Sequence, residues 1–309
     1  MRIVFMGTPE FAVPFLEKLL NDHRDIVGVY TRKPKGKERG QRLQNTPIHS
    51  LAAARNIPVS TPGTFKNGKN LDNLKALRPD LIIVVAYGLL LPEELLNMPK
   101  YGCINVHPSL LPRWRGCAPI ERCLMSDDTE TGICIVRIAE ILDSGDIISS
   151  TRIPIEMDTD AESLRRKMAI IGVDMLMEAV EAIETKDSVP AIKQNDSLAT
   201  FSEKITDEDA LVNWQNDNVG RIHRKIMALN DSVGVHVVHG SNRLKLVRSR
   251  YVQAVTRNDM VGRIIDKNFS IGCRDGILEI LEIQREGRKP LDIKNFLNGY
   301  RFNIGDQIR

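Results

Sequence analysis

Several features that would have assigned a function quickly are missing from this chain of 309 residues. No stretch approaches the ~20 consecutive apolar residues of a membrane-spanning helix, so no membrane association is expected. The N-terminal MRIVFMGTPEFAVPFLEKLL has a short apolar run with no small-residue cleavage site behind it, and it reads as a first strand and helix, not a signal peptide. The five cysteines (Cys103, Cys117, Cys123, Cys134, Cys273) are odd in number and show neither CxxC nor His-rich spacing. That argues against a disulfide framework and a zinc site, predicts no metal, and fits a reducing, cytoplasmic setting. The first strand runs into Gly7-Thr8-Pro9-Glu10 where a dinucleotide fold would carry G-x-G-x-x-G. Without those glycines a pyrophosphate cannot approach the backbone, so no NAD is expected. No heptad or exposed apolar stripe suggests a second copy, and a monomer is expected.

What is present begins with charge. The net charge of +3 is modest but unevenly spread: residues 200–309 hold 18 Lys/Arg against 14 Asp/Glu, and 221–250 hold seven against one. A second cluster, RKPKGKERGQR at 32–42, has six basic residues and one acidic. Two separated basic clusters suit a polyanionic partner, although a solvated basic surface has the same composition.

The chain is long enough for two domains. RIVFM, a turn and FAVPFLEKLL read as strand, turn, helix, and DIVGVYT (25–31) as a second strand. The basic stretch 32–46 has Pro and Gly and no periodicity, and reads as a loop. Helix follows at 46–56, with Thr46 as N-cap and Pro47 in its first position. LIIVVA, apolar on both faces, is a strand buried from both sides. Strands of this kind alternating with helices predict an α/β N-terminal domain with a Rossmann-like open parallel sheet. A long amphipathic helix is expected at 161–186, its methionines packed as core. After the aperiodic 189–200 comes helix at 209–230, then short β-like runs (VGVHVV, RLKLVRS, GRIID, FSIGC, GILEILEIQ) that fit a small β-barrel, OB-like.

The chemistry concentrates in CINVHPSLLPRWRGCAPI, residues 103–120. Residues 103–107 are extended, so Asn105 and His107 project from one face. Pro108 keeps His107 out of helical geometry, at the carboxyl end of its strand, where open α/β sheets bind ligands. A neutral amide donor beside an imidazole suits a carbonyl oxygen that becomes negative in a tetrahedral intermediate. Downstream, Asp143 and Asp146 flank a Ser144-Gly145 turn, and spacing alone does not choose between them.

The segments GTPEFAVP, VVAYGLLLP, INVHPSLLPRWRGCAPI and LDSGDII resemble the folate-dependent formyltransferase superfamily, and the resemblance continues to FSEKI, NW and ALN near the C-terminus. Its members use an Asn, a His two residues on, and the first Asp of an L-D-x-G segment, which correspond to Asn105, His107 and Asp143. The resemblance implies 10-formyltetrahydrofolate as donor. Over the whole chain it implies the branch whose acceptor is the α-amino group of methionine on initiator tRNA. It further implies folate contacts from Ser109, Leu110, Leu111 and Pro112 and from the turn Ala86-Tyr87-Gly88-Leu89. The basic loop resembles a tRNA-contacting wedge, with Lys37, Arg39 and Arg42 as its cations, although Lys-Gly-Lys-Glu-Arg-Gly departs from the usual Pro-Ala-Gly-Arg-Gly. Arg243, Lys245, Arg248 and Arg250 would track phosphates from the barrel. The expected organisation is a catalytic domain at 1–188, a linker at 189–203 and a tRNA-binding β-barrel domain at 204–309. In the reaction, Asn105 and His107 would stabilise the formyl oxygen, and Asp143 would orient His107 or a proton-carrying water. Competing readings are a formyltransferase acting on a nucleotide-sugar or glycinamide ribonucleotide amine, a formyltetrahydrofolate hydrolase, and a non-catalytic RNA-binding module. PRWRG and the two basic clusters favour the tRNA substrate.

Overall fold

The structure is a computed structural model that describes residues 1–37, 42–66, 68–126 and 128–309. It divides into two compact units: 1–116, 130–154 and 165–201 in the first, and 117–129, 155–164 and 202–309 in the second.

The first unit is built on β1 (Arg2–Gly7), α1 (Val13–Asn21), β2 (Asp25–Tyr30), β3 (Lys35–Lys37), β4 (Arg42–Gln44), α2 (Pro47–Ala54), β5 (Val59–Ser60), α3 (Gly68–Ala76), β6 (Leu81–Val85), α4 (Glu93–Leu96) and β7 (Cys103–His107). The chain continues through β8 (Arg115–Gly116), α5 (Pro119–Met125), β9 (Glu130–Arg137), β10 (Ile147–Pro154) and α6 (Ala161–Lys186). Seven strands form one sheet in the order β10-β9-β7-β6-β1-β2-β5. β7, β6, β1, β2 and β5 are parallel, whereas β9 and β10 join antiparallel. The α/β expectation holds, with an antiparallel hairpin added at one side. All five residues of β6 are buried, as its unbroken apolar run requires. Thr46 caps α2 by accepting from the His49 N–H at 3.1 Å, ahead of Pro47. On α6, Met168 and Met175 are buried, and Gly172 lies so close to Phe15 and Ile133 that a Cβ would fall 2.4 Å from Ile133 Cδ1. The helix therefore seats directly on α1 and β9.

Two readings are corrected. The basic stretch is not wholly loop: β3 and β4 pair antiparallel, with Lys37 opposite Arg42. Backbone pairing needs no side-chain periodicity, so composition hid it. The helix expected at 209–230 is α7, Val219–Leu229. It starts later because the Asn218 side chain caps it, accepting from the Arg221 N–H at 2.7 Å.

The second unit includes α5 and α7, which pack together. Arg122 of α5 holds Asp209 with two bonds, at 2.6 and 3.0 Å. After the short β11 (Phe201–Ser202) and α7 come β12 (Val235–His239), β13 (Asn242–Gln253), β14 (Ile271–Cys273), β15 (Gly276–Arg285), β16 (Leu291–Asp292) and α8 (Ile293–Leu297). The antiparallel sheet runs β12-β13-β15-β14 with β16 on β15. Isolated bridges close it: Ile271 to Ile264, Arg263 to Gln307, and Ile308 to His239 on β12. Inside lie Leu244, Leu246, Phe269, Leu278 and Ile283, all fully buried. The expected small barrel is present. Among the described residues no helix is long and apolar enough to cross a membrane.

Candidate active site

β6 and β7 are adjacent and parallel, so the segments leaving them, 86–89 and 108–112, share the carboxyl edge of the sheet. On β7 the side chains of Asn105 and His107 lie on one face, and the segment between β9 and β10 brings Asp143 to them. Asn105 Nδ2 donates to Asp143 Oδ1 at 3.4 Å. His107 Nδ1 lies 3.6 Å from Asp143 Oδ2, too far for a hydrogen bond and within ion-pair distance of a protonated ring. The Gly116 N–H donates to the same Oδ2 at 2.8 Å. The other ring nitrogen, Nε2, is 3.0 Å from the Trp114 carbonyl. A carbonyl only accepts, so in the neutral ring Nε2 carries the hydrogen and Nδ1 is the nitrogen free to exchange a proton. The side chains of His107 and Asp143 are only 4% and 11% exposed, so the carboxylate faces the ring with little solvent between them.

The turn carrying Asp143 is held tightly. Asp143 stands at φ +51°, and a Cβ on Gly145 would fall 1.8 Å from the Arg137 carbonyl oxygen. Only glycine fits at that position. Gln194 Nε2 donates to the carbonyls of Asp143 and Gly145 at 2.8 and 2.7 Å. Gln194 Oε1 accepts from Arg115 Nε and Nη2 at 3.1 and 2.8 Å. Sequence reasoning missed Gln194 and Arg115. A glutamine in an aperiodic stretch has no motif, and Arg115 was read only as part of PRWRG. Asp146, the alternative carboxylate, instead supplies its backbone carbonyl to the Arg137 N–H at 2.9 Å.

The remaining expected residues divide by what their side chains do. Ser109 is buried and donates its hydroxyl to the Arg113 carbonyl at 2.6 Å. Leu111 packs with Cys134, Val136 and Ile147, while Leu110 and Pro112 are half-buried. In the other turn Tyr87 is buried against Phe65, and its carbonyl accepts from the Thr8 hydroxyl at 2.9 Å. Ala86 and Gly88 are exposed, at φ +49° and +78°, and Leu89 is half-buried. Space around Gly88 is open. This turn can therefore offer backbone to a ligand, whereas the side chains of Ser109, Leu111 and Tyr87 are buried. Leu90, Ile141 and Leu142 remain exposed, at 80%, 69% and 48%. Burial pushes the Cys103 thiol up to about 12 and the Cys134 thiol up to about 11, so neither supplies a thiolate near neutrality.

Of the basic residues, Arg39 lies outside the described residues, and Lys37 and Arg42 are placed only as backbone partners of the β3–β4 hairpin. On β13, Arg243, Arg248 and Arg250 are exposed and Lys245 is half-buried, while Leu244, Leu246 and Ser249 point inward. Alternation alone would put Arg243 and Lys245 on the face opposite Arg248 and Arg250. A register shift on either side of Arg248 resets the parity, and all four point outward. Arg250 pairs with Glu279, and Arg248 stands opposite Glu282. Arg243 and Lys245 instead border a shallow cavity of about 150 Å³ with His236, Gln284, Arg285 and Glu286.

The fold is that of the formyl-transferring enzymes. Residues 1–180 match the formyl transferase family and residues 204–301 match the formyl transferase C-terminal domain, and the chain belongs to that family. Full-length relatives carry a narrower name. A methionyl-tRNA formyltransferase of Ehrlichia canis is 41% identical over 97% of both chains, and one of Rickettsia bellii is 37% identical over 100% of both. Among solved structures, a sugar 3N-formyl transferase determined in the presence of dTDP and 5-N-formyl-THF superposes with a TM-score of 0.69 at 19% identity, covering 94% of this chain and 99% of its own. An N-formyltransferase of Helicobacter canadensis, in complex with folinic acid and dTDP-3-aminofucose, gives 0.70 at 19% identity, covering 90% and 98%. At that identity the likeness speaks for the fold alone.

Proposed function

We infer that this chain transfers the formyl group of 10-formyltetrahydrofolate to the α-amino group of methionine on initiator tRNA, the step that prepares it for translation initiation. Relatives of that name aligned from end to end carry the reading, because an Asn–His–Asp set would serve a tRNA amine and a sugar amine alike.

Asn105, His107 and Asp143 are the residues we assign to the chemistry. A neutral amine attacks the formyl carbon. The new C–N bond pushes an electron pair onto the formyl oxygen, and collapse of the tetrahedral intermediate breaks the bond to the folate N10. Asn105 Nδ2, only weakly engaged at 3.4 Å, is a donor available to the charged oxygen. His107 Nδ1 takes the proton that the amine loses and returns it to the departing N10. Asp143 stabilises the imidazolium formed in between, a role its separation of 3.6 Å from Nδ1 permits. The donor fits the carboxyl edge of β6 and β7. Exposed backbone at Ala86 and Gly88 can meet pterin nitrogens, and Leu90, Ile141 and Leu142 offer apolar surface to a flat ring. The residues for the tRNA are Lys37, Arg39 and Arg42 of the basic stretch 32–42 and Arg243, Lys245, Arg248 and Arg250 on β13. One chain holds all three chemical groups, so the reading needs no second copy.

The test is incubation with 10-formyltetrahydrofolate and charged initiator tRNA in competition with an amino-sugar nucleotide. Formyl-methionyl-tRNA is the expected product. Formylation of the sugar in its place, or release of formate without an acceptor, would overturn the reading in favour of a sugar enzyme or a hydrolase.

A further inference from the structure

The proposed chemistry needs the Asp143 carboxylate fixed in place. The side chain alone does not fix it, because Asp143 sits in a left-handed backbone conformation that a non-glycine residue keeps only when its surroundings impose it. The surroundings here are Gln194 and Arg115, both buried, at 6% and 3% exposure. Arg115 carries only donors. Its Nε and Nη2 both point at Gln194 Oε1, and Nη2 also reaches Asp196 Oδ1 at 2.7 Å. The amide oxygen of Gln194 must therefore face the guanidinium, and its NH₂ must face the other way. On that side are two acceptors, the carbonyls of Asp143 and Gly145. The same arginine acts from the opposite end, because the residue after it, Gly116, donates its N–H to Asp143 Oδ2. The segment holding Gln194 is thus bound into the unit that carries the site.

We propose that Gln194, oriented by Arg115, is a positioning residue that sets the Asp143 carboxylate against His107 and Asn105. The proposal rests on the reading of Asp143 given above. Gln194 acts through the turn and contacts neither substrate. Its effect therefore falls on turnover and depends on Asp143 being intact.

Three variants of the full chain test this, assayed with 10-formyltetrahydrofolate and methionyl-tRNA alongside thermal unfolding. Gln194→Leu removes both donors and the acceptor. We expect kcat to fall roughly 10- to 100-fold, the scale of a misplaced catalytic group, with KM for either substrate changed less than about threefold. Gln194→Glu keeps the shape and the acceptor for Arg115 but turns an oxygen towards two carbonyl oxygens, and should lose kcat comparably. In an Asp143→Asn background, Gln194→Leu should cost less than about threefold, because coupled residues are not additive. Wild-type kcat in Gln194→Glu would mean that Gln194 serves only as the hydrogen-bond acceptor of Arg115, and would overturn the proposal. So would an undiminished loss from Gln194→Leu in the Asp143→Asn background. Wild-type turnover in Asp143→Asn alone would instead sink the role given to Asp143, and this outcome is distinguishable because it does not involve Gln194. Should Gln194→Leu unfold, Gln194→Glu and its double variant with Asp143→Asn decide the matter.

Discussion

The surroundings of Asp143 and the outer face of β13 are both polar, and they are built on opposite plans. At Asp143 every group is tied to another: the carboxylate to Asn105 and Gly116, the backbone to Gln194, the glutamine to Arg115. On β13 three arginines stand exposed, held in line by strand pairing and one ion pair. The difference follows from what each must meet. A reacting carbonyl carbon rewards donors fixed to a fraction of an ångström. Phosphates repeat along a strand and are met as well by long, mobile cations, with salt displacing them. Rigidity therefore marks the chemistry, and loosely held charge marks the partner.

The sharpest break of that comparison lies at the fixed end. His107→Ala should lower kcat by about 10²–10⁴-fold, the range for losing a positioned acid–base group, and Asn105→Ala by about 10²–10³-fold, the range for losing one oxyanion donor. Both should leave the salt dependence of the KM for tRNA unchanged and the circular dichroism spectrum intact. Near-normal turnover in folded His107→Ala would remove the imidazole from the mechanism.

Much of this was legible before the fold was known. LIIVVA declared a strand buried on both sides, Thr46-Pro47 declared a helix start, and Asn105 and His107 shared a face because strands alternate. Local rules reach that far. They do not reach the antiparallel β9–β10 hairpin, because strand direction is set by pairing partners. Nor do they find Gln194, whose partners lie 49 and 51 residues earlier in the chain. The shared outward face of the four β13 cations also depends on pairing, and strict alternation does not account for it. The register shift at Arg248 is a property of its pairing with β15, and alternation read from the sequence gives the wrong parity. At Lys35–Lys37 and Arg42–Gln44 a short ladder hid inside a stretch that charge and glycine made look like loop.

At the loosely held end the expected losses are smaller and of another kind. Reversing Arg243 and Lys245 together should raise the KM for tRNA and leave the KM for folate within about twofold. It should also reduce the slope of log affinity against log salt by about one for each phosphate no longer neutralised. Reversing Arg39 and Arg42 in the basic stretch 32–42 should act likewise. Arg250→Ala should do less than either, because Glu279 already offsets its charge. Titration of tRNA binding across a salt series separates these cases. Equal effects from Arg250 and Arg243 would show that the acidic neighbours on β15 do not modulate the stripe, and a loss of folate binding would point to misfolding.

The smallest effect is expected at His236, which lines the cavity with Arg243 and Lys245. Burial, then the charge of Arg243, hold its imidazole below the ordinary 6.5, with Lys245 adding to the shift and the Gly234 carbonyl and Glu286 opposing it. In the free protein the ring is therefore neutral at pH 7. A phosphate in the cavity would favour the charged ring, so protonation and tRNA binding must assist each other by linkage. Affinity for tRNA should consequently strengthen as the pH falls below 6.5, whereas it would stay flat were the ring remote from the bound backbone. The folded state runs the other way. It binds this proton less readily than the unfolded chain, so lowering the pH through the same range removes stability. His236→Gln should abolish the acid gain in affinity at fixed salt while leaving kcat untouched. If the gain persists in that variant, the cavity is not where the polyanion is held, and Arg243 and Lys245 act as a surface and not as a pocket.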